Sequence, residues 1–343
     1  MLSEIGLKDI KRQVATLAVA ERFFDSAVLF ALFELGVFRL LADGPRDLEA
    51  LHGEIGGSKE TLRAVLDAAA GLDLLDKRDD AYSVSEAFAA CMGREDSPAY
   101  LGEWIAFLHA LATPLLKLDE AVRTGQPPGA LFEDMSADNL PAKRMTRAMD
   151  AYSRTRGTEL ATRLDYSGIE TLLDIGCGPG TYSLAIMERH PGIRATLVDL
   201  PGPIAEARRI MEERGVADRV EFVATDALRH EFNGTWDMVL VSNTLHMLGP
   251  ELSQALLDRC YHLVSPGGVL VVQAQYLDDE RTAPRWPVLL NLVQRVATPH
   301  GRNHAVGETT EWLRRAGFTE IEYKPFAPWN VNSALVARRD AAA

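Results

Sequence analysis

Three glycines alternate with other residues in one short stretch of this chain, at Gly176, Gly178 and Gly180. They follow an apolar run that contains Asp174, and the next apolar run ends at Asp199. Glycines at the end of a buried strand leave no side chain between the backbone and a ligand. An acid at the end of the following strand can accept hydrogen bonds from both hydroxyls of a ribose. The spacing therefore predicts a nucleoside-binding site built from strand, glycine turn, helix, strand and acid.

The spacing of the glycines also indicates which kind of nucleoside binds. Dinucleotide-binding folds show Gly-x-Gly-x-x-Gly, with a helix N-terminus directed at a pyrophosphate. Here the pattern is Gly-x-Gly-x-Gly, and the carboxylate of Asp174 stands just ahead of it. Carboxylates suit a ligand that carries an ammonium and a sulfonium group better than one that carries phosphates.

Two later apolar runs also end in residues that bear chemistry. Asp226 follows the third run, Ser242 ends the fourth, and His246 lies just past that end. Open parallel sheets hold their ligands at the carboxyl ends of the strands. We therefore expect these side chains at the same edge as the glycine turn.

Together these stretches resemble the class I S-adenosylmethionine (SAM) dependent methyltransferases, in particular the bacterial and plant small-molecule O-methyltransferases of the acetylserotonin and caffeate type. The resemblance covers most of the chain, and it is carried in the family's order by residues 173–180, 198–201, 224–226, 242–246, 266–268 and 316–318. It implies SAM as the cofactor and a reaction without a metal. The residues it implies for cofactor binding are Asp174, Gly176, Gly178, Gly180, Asp199, Leu200, Asp226, Ala227 and Ser242.

The resemblance places the catalytic base at His246. A neutral imidazole suits this role near neutral pH, because a phenol has a pKa of about 10 and needs help to lose its proton. Met247 and Leu248 stand where the family commonly has Asp and Trp. The family also has a Glu that orients the imidazole, and the residues around that register here are His300, Arg302, Asn303, His304 and Glu308.

A pocket for a planar aromatic acceptor is expected from apolar and aromatic side chains in the segments that cover the sheet edge. The predicted liners are Trp104, Phe107, Met149, Tyr152, Met247, Trp286, Leu290, His300 and His304. Asp278 and Asp279 are interpreted as a solvated turn and not as a metal site, because adjacent acids point to opposite sides of a strand end.

The pattern after residue 170 alternates strands with helices and predicts an α/β fold with a doubly wound, seven-stranded sheet. The predicted strands are 171–175, 195–199, 219–225, 236–242, 267–276, 318–325 and 333–338. The predicted helices are 180–190, 201–214, 250–264, 286–297 and 308–316. The last two strands are separated by a short connection, so we expect them to be antiparallel, as is typical of methyltransferases.

We predict three regions: a winged-helix-like dimerisation domain over 1–100, a helical linker or lid over 101–165, and a SAM-binding domain over 166–343. The stretch from Phe23 to Leu41 is apolar on most helical faces, so it must be buried here or in a partner chain. A winged helix can also bind DNA. Residues 58–76 carry two basic against four acidic residues, which would repel phosphate and favours dimerisation.

Composition limits the function further. The 343 residues include 36 Lys and Arg against 49 Asp and Glu, a net charge of −13, which argues against nucleic acid or an anionic membrane as a partner. The three cysteines are scattered and indicate a reducing compartment. No secretory signal opens the chain and no early apolar stretch is long enough to span a bilayer, so we expect a cytoplasmic protein.

We therefore expect a homodimeric, metal-independent enzyme that transfers a methyl group from SAM to a hydroxyl of an aromatic or polyketide-like small molecule. Three alternatives stay open. The methyl group could go to carbon, on a tetrapyrrole or polyketide ring. The chain could bind SAM without methyl transfer. It could also be a SAM-sensing transcription regulator, which its charge disfavours.

Overall fold

The chain divides into two units, Met1–Ala106 and Phe107–Ala343. A computed structural model describes residues 7–95, 97–128, 140–298 and 300–341. The unit boundary lies close to the predicted one at residue 100, and most of the predicted lid belongs to the second unit. Residues 129–139 of that predicted lid lie outside the described residues.

The first unit consists of short helices and a small sheet. Its elements are α1 (Leu7–Glu21), α2 (Phe23–Glu34), α3 (Val37–Leu40), β1 (Arg46–Asp47), α4 (Leu48–Ile55), α5 (Lys59–Gly71), β2 (Leu75–Arg78), β3 (Ala81–Val84) and α6 (Glu86–Phe88). Helix α4 begins where Asp47 accepts a hydrogen bond from the Ala50 amide at 2.8 Å, and α5 where Ser58 accepts one from the Thr61 amide at 3.2 Å. The sheet order β1-β3-β2 completes a helix, helix and wing arrangement.

The apolar stretch of the first unit is only partly buried within one chain. Leu32, Val37 and Phe38 are buried, whereas Phe23 and Phe24 are 58% and 57% exposed. The exposed apolar residues on α1 are Ile10, Val14, Leu17 and Val19. An apolar surface of this kind marks an interaction site.

Three helices precede the large sheet: α7 (Gly102–Leu115), within which the unit boundary falls, α8 (Leu118–Thr124) and α9 (Leu140–Arg163). Helix α9 is the one that packs on the sheet domain. A side chain at Gly157 would place its Cβ 3.2 Å from the Thr181 carbonyl oxygen, so the glycine permits this close approach. None of the described helices is long and apolar enough to cross a membrane.

The second unit continues with alternating strands and helices. They are β4 (Thr171–Ile175), α10 (Thr181–Arg189), β5 (Arg194–Asp199), α11 (Pro201–Glu213), β6 (Val220–Ala224), β7 (Trp236–Ser242), α12 (Pro250–Leu263), β8 (Val264–Ala274), α13 (Arg285–Ala297), α14 (Val306–Ala316), β9 (Thr319–Pro325) and β10 (Ser333–Arg338).

The large sheet has seven strands in the order β6-β5-β4-β7-β8-β10-β9. Strands β4 to β8 run parallel to one another, and β10 runs antiparallel to both β8 and β9. The predicted class I fold with an antiparallel last strand is confirmed. The order reverses between β4 and β7, so a ligand crevice opens at their carboxyl ends.

Candidate active site

The three glycines of the turn after β4 have different roles. All have positive φ, at 71°, 54° and 74° for Gly176, Gly178 and Gly180. A Cβ on Gly176 would lie 2.4 Å from Thr244 Oγ1, and one on Gly180 would lie 2.7 Å from Met211 Cε. A Cβ on Gly178 would meet nothing within 4 Å. Gly178 is therefore the glycine whose missing side chain leaves open space at the turn.

Asp199 at the end of β5 organises this turn. Its Oδ2 accepts a hydrogen bond from the Gly178 amide at 2.7 Å, and its Oδ1 accepts one from the Leu200 amide at 2.7 Å. Burial raises the pKa of Asp199, although the two hydrogen bonds act to lower it. Each carboxylate oxygen has a further lone pair, so the side chain can also accept from a ligand. The sequence analysis did not foresee the bond between this acid and the glycine turn.

Asp174 lies beneath the turn. It is 1% exposed, and its Oδ2 accepts a hydrogen bond from Ser183 Oγ at 2.6 Å. Its Oδ1 is buried and has no hydrogen-bond partner among the described residues. Burial raises the pKa of Asp174 to about 7. Only Oδ1 therefore remains to receive a cationic group of a ligand.

The other residues predicted to bind the cofactor lie at the next strand ends. Asp226 is half exposed, accepts a hydrogen bond from the Leu228 amide at 2.9 Å and pairs with Arg229 Nε at 3.4 Å. Ala227 is half buried, and Ser242 is buried at the end of β7. Asp226 thus also has the turn role that acids often take in such positions.

His246 lies on a single 3₁₀ turn, Leu245–Met247, just past β7. Burial and the neighbouring His304 lower the pKa of His246 to about 4, so the imidazole is neutral at physiological pH. Its Nδ1 is buried and has no hydrogen-bond partner among the described residues. Gly301 packs on this turn, because a Cβ there would lie 2.6 Å from the His246 carbonyl oxygen.

His304 supports the turn from behind. It is 4% exposed, and its Nε2 lies 3.0 Å from the Leu245 carbonyl oxygen in a hydrogen bond. The ring of His304 is therefore held against the His246 turn, and its place in the lining of the acceptor pocket stays a prediction. Glu308 does not hydrogen-bond with His246; it is bound by Arg302 at 2.6 Å. His300 is exposed.

The structure brings together two of the residues predicted to line the pocket for the methyl acceptor, Tyr152 on α9 and Trp286 on α13. The Tyr152 hydroxyl accepts a hydrogen bond from Gln275 Nε2 at 3.1 Å, and the side chains of Trp286 and Arg156 lie beside the same hydroxyl. Burial raises the pKa of Tyr152, so it stays a neutral phenol. The fold thus brings Tyr152 into contact with Gln275, which is 123 positions away in the sequence.

The remaining predicted liners are placed on four elements. Met149 is half buried on α9, Leu290 is 8% exposed on α13, and Met247 is half buried on the His246 turn. Phe107 on α7 is 8% exposed. Trp104, also on α7, is half buried and belongs to the first unit.

A buried polar cluster lies between α9, α10 and the sheet, and the sequence analysis missed it. The Tyr182 hydroxyl accepts hydrogen bonds from Asn243 Nδ2 at 3.3 Å and Asn332 Nδ2 at 3.1 Å. Gln273 is 1% exposed, and neither atom of its amide has a hydrogen-bond partner within the part of the chain that the structure describes. The available signal was a pair of glutamines two residues apart at the end of an apolar run, Gln273 and Gln275.

No group of three or more His, Cys, Asp or Glu that could hold a metal ion occurs within the described ranges. Asp278 accepts hydrogen bonds from the amides of Thr282 and Ala283, at 2.8 and 2.9 Å, and Asp279 accepts one from the Gly307 amide at 3.0 Å. These acids therefore hold turns, as the sequence indicated.

Comparisons with known proteins agree with this geometry. The model of the O-methyltransferase domain matches residues 111–319, and that of the O-methyltransferase dimerisation domain matches residues 17–91. The tetracenomycin polyketide synthesis 8-O-methyl transferase TcmO of Streptomyces glaucescens is 30% identical over 304 residues, which cover 87% of this chain and 89% of that protein.

Two further proteins resemble the chain along nearly its whole length. The 3-hydroxy-5-methyl-1-naphthoate 3-O-methyltransferase of Streptomyces sahachiroi is 27% identical over 321 residues, which cover 92% of each protein. The structure of human N-acetylserotonin methyltransferase in complex with SAM has a TM-score of 0.85 at 24% identity and covers 99% of this chain and 100% of its own, which supports the fold. The chain belongs to the O-methyltransferase family and is a SAM-dependent methyltransferase.

Proposed function

We propose that the enzyme methylates a hydroxyl group of a planar aromatic or polyketide-like small molecule, with His246 as the general base and S-adenosylhomocysteine as the second product. The observation that carries the proposal is the neutral, largely enclosed imidazole of His246 beside the strand crevice. The two bacterial relatives support the acceptor class, because one is named for the O-methylation of a naphthoate and the other for an O-methyl transfer in polyketide synthesis.

The residues at the carboxyl edge of the sheet fit SAM. Gly178 leaves open space at the turn, Asp199 can accept from the ribose, and Asp226 with Ala227 can meet the adenine. The free Oδ1 of Asp174 can take a cationic group. When bound, SAM supplies a methyl group made electrophilic by its sulfonium.

The acid–base properties of His246 restrict how it acts. A base with a pKa of about 4 cannot fully deprotonate a phenol beforehand, because the gap to a phenol pKa of about 10 amounts to about 8 kcal/mol. We infer that His246 accepts a hydrogen bond from the acceptor hydroxyl and takes its proton while the oxygen is being methylated. Since Nδ1 is enclosed by protein, Nε2 is the atom assigned to receive the proton.

The product identifies the acceptor atom. We expect SAM labelled with ¹³C in the methyl group, incubated with the enzyme and a panel of hydroxynaphthalenes and hydroxyanthraquinones, to yield a methoxy carbon by NMR. The signal should be absent without enzyme. A methyl carbon bonded to ring carbon would instead support C-methylation, and SAM binding without turnover on any acceptor would support a non-methylating role.

We further propose that the enzyme is a homodimer held by its dimerisation domain. The exposed phenylalanines of α2 and the apolar residues of α1 form a surface too large to leave in water. Light scattering at micromolar concentration should give the mass of a dimer, and the double substitution Phe23→Glu, Phe24→Glu should shift it to a monomer.

A matched control is Leu116→Glu, since Leu116 is 81% exposed in the other unit, and this variant should remain a dimer. A monomeric wild-type chain would contradict the proposal. The same sample should not retard duplex DNA at physiological salt, whereas sequence-selective retardation would favour a transcription regulator.

A further inference from the structure

Arg156 differs from its neighbours on α9. Arg147 pairs with Glu206 at 3.0 Å, Arg154 with Asp150 at 2.6 Å and Arg163 with Glu159 at 3.5 Å. Arg156 forms no ion pair with any residue that the structure describes. A guanidinium is charged at every physiological pH, so a half-buried one with no anion beside it is energetically unfavourable.

The position of this guanidinium is set by Tyr152. Its central carbon lies 3.5 Å from the centre of the Tyr152 ring, and Nη1 donates a hydrogen bond to the Tyr152 carbonyl oxygen. Stacking and this bond hold the planar group in one place. Its Nε is buried and has no hydrogen-bond partner in the described ranges, which leaves a fixed donor unsatisfied there.

A second donor lies close to the same cluster. Among the described residues Gln273 Nε2 is buried without a partner of normal hydrogen-bond geometry, and it lies near the Tyr182 hydroxyl, whose pKa is raised by burial and lowered by the charge of Arg156. A guanidinium and an amide N–H at one buried place are the donors that bind a carboxylate.

We propose that Arg156 binds a carboxylate carried by the methyl acceptor, with Gln273 as a second donor. The inference rests on the proposed function and narrows its acceptor class to aromatic hydroxy acids. Arg156 then determines specificity, because an acceptor without the anion leaves the guanidinium buried and unpaired.

The amino-acid end of SAM also has a carboxylate, but the sheet order favours the acceptor. The residues suited to adenosine lie at the ends of β4, β5 and β6. Tyr152, on which Arg156 is stacked, is tied to Gln275 after β8 and lies beside Trp286 of α13. Strand β8, which carries Gln273 and precedes Gln275, is on the other side of β7 from β4, β5 and β6, and His246 follows β7 itself.

Ligand binding tests the inference without requiring turnover. We expect enzyme saturated with S-adenosylhomocysteine to bind 1-naphthoate about tenfold or more tightly than 1-naphthamide in calorimetry, the range for hydrogen bonds to a charged group. Arg156→Met should remove this preference and change 1-naphthamide affinity little. Arg144→Met, which removes an exposed charge from the same helix, should keep the preference.

The second arm compares SAM with decarboxylated SAM, which differs only in lacking the carboxylate. We expect Arg156→Met to leave the ratio of these two affinities unchanged. If Arg156→Met lowers the ratio of SAM affinity to decarboxylated SAM affinity about tenfold while the naphthoate preference persists, Arg156 binds the carboxylate of the cofactor and the inference is wrong. Equal binding of naphthoate and naphthamide by the wild type would also overturn it.

Two further measurements keep the result interpretable. Arg156→Lys keeps the charge but loses the planar donors, so it should retain part of the naphthoate preference even if Arg156→Met folds poorly. Circular dichroism of each variant checks folding. Because no methyl transfer is measured, failure of His246 as the base would leave these binding results unaffected.

Discussion

The substitution His246→Ala is expected to lower turnover by about a hundredfold or more, the usual contribution of a positioned general base. SAM affinity should stay within about twofold of wild type, because the imidazole faces the acceptor in the proposed mechanism and not the adenosine. Steady-state kinetics and calorimetry with SAM measure the two effects separately.

The pH profile of this variant distinguishes the acceptor atoms. For a phenol, the loss should shrink as the pH rises toward about 10, where the acceptor ionises without help. A carbon acceptor loses its proton only after the new bond forms, so removal of His246 would matter less and high pH would give little rescue.

The wild-type profile follows from the lowered pKa of His246. An imidazole with a pKa of about 4 remains unprotonated down to about pH 5, so turnover should show no inflection near 6.5 from this group. Below that range protonation should abolish its role as a base. The matched control is His262→Ala, at an exposed position near the end of α12, and it should leave turnover nearly unchanged. Near wild-type turnover of His246→Ala across neutral pH would rule this residue out.

The substitution Asp199→Ala is expected to weaken SAM binding by about a hundredfold or more. It removes the proposed acceptors of the ribose hydroxyls and leaves the amides of Gly178 and Leu200 without their partners. Hydrogen bonds to a charged group contribute about 1.5–3 kcal/mol each, so the loss of two is enough for this effect. Calorimetry with S-adenosylhomocysteine gives the affinity directly.

Two variants separate the causes of that loss. Asp199→Asn keeps the shape and one acceptor oxygen, so its affinity should lie between those of wild type and Asp199→Ala. Asp218→Ala removes an exposed acid from the turn before β6 and should bind normally. Unchanged affinity in Asp199→Ala would contradict the role of this strand end in cofactor binding.

Local patterns predicted the sheet domain closely. The strands expected over 171–175, 236–242 and 333–338 have these same bounds in the structure, and the glycine turn begins where β4 ends. These features depend on short-range causes: apolar runs that must be buried, and turn positions with positive φ that only glycine adopts easily. The strongly apolar α2 was also predictable, but which of its residues are buried within one chain was not.

The surroundings of the site were less predictable. The hydrogen bond between His304 and the Leu245 carbonyl oxygen joins residues 59 positions apart and could not be read from the sequence. Tyr152 and Arg156 are one turn apart on α9, so their stacking is local, but which side of α9 faces the site is set by its packing on α10. A buried polar residue in an apolar strand shows that a partner is needed but not which one.

The sequence by itself determined the order of the strands along the chain, the glycine turn, the acids at the strand ends and the His after the fourth strand. Each follows from residues that are neighbours in the chain. Tertiary structure alone decided which side chains share a hydrogen bond, as when Tyr152 meets Gln275, 123 positions later. Such contacts depend on how helices and strands pack, and packing is a property of the whole domain that no local pattern contains.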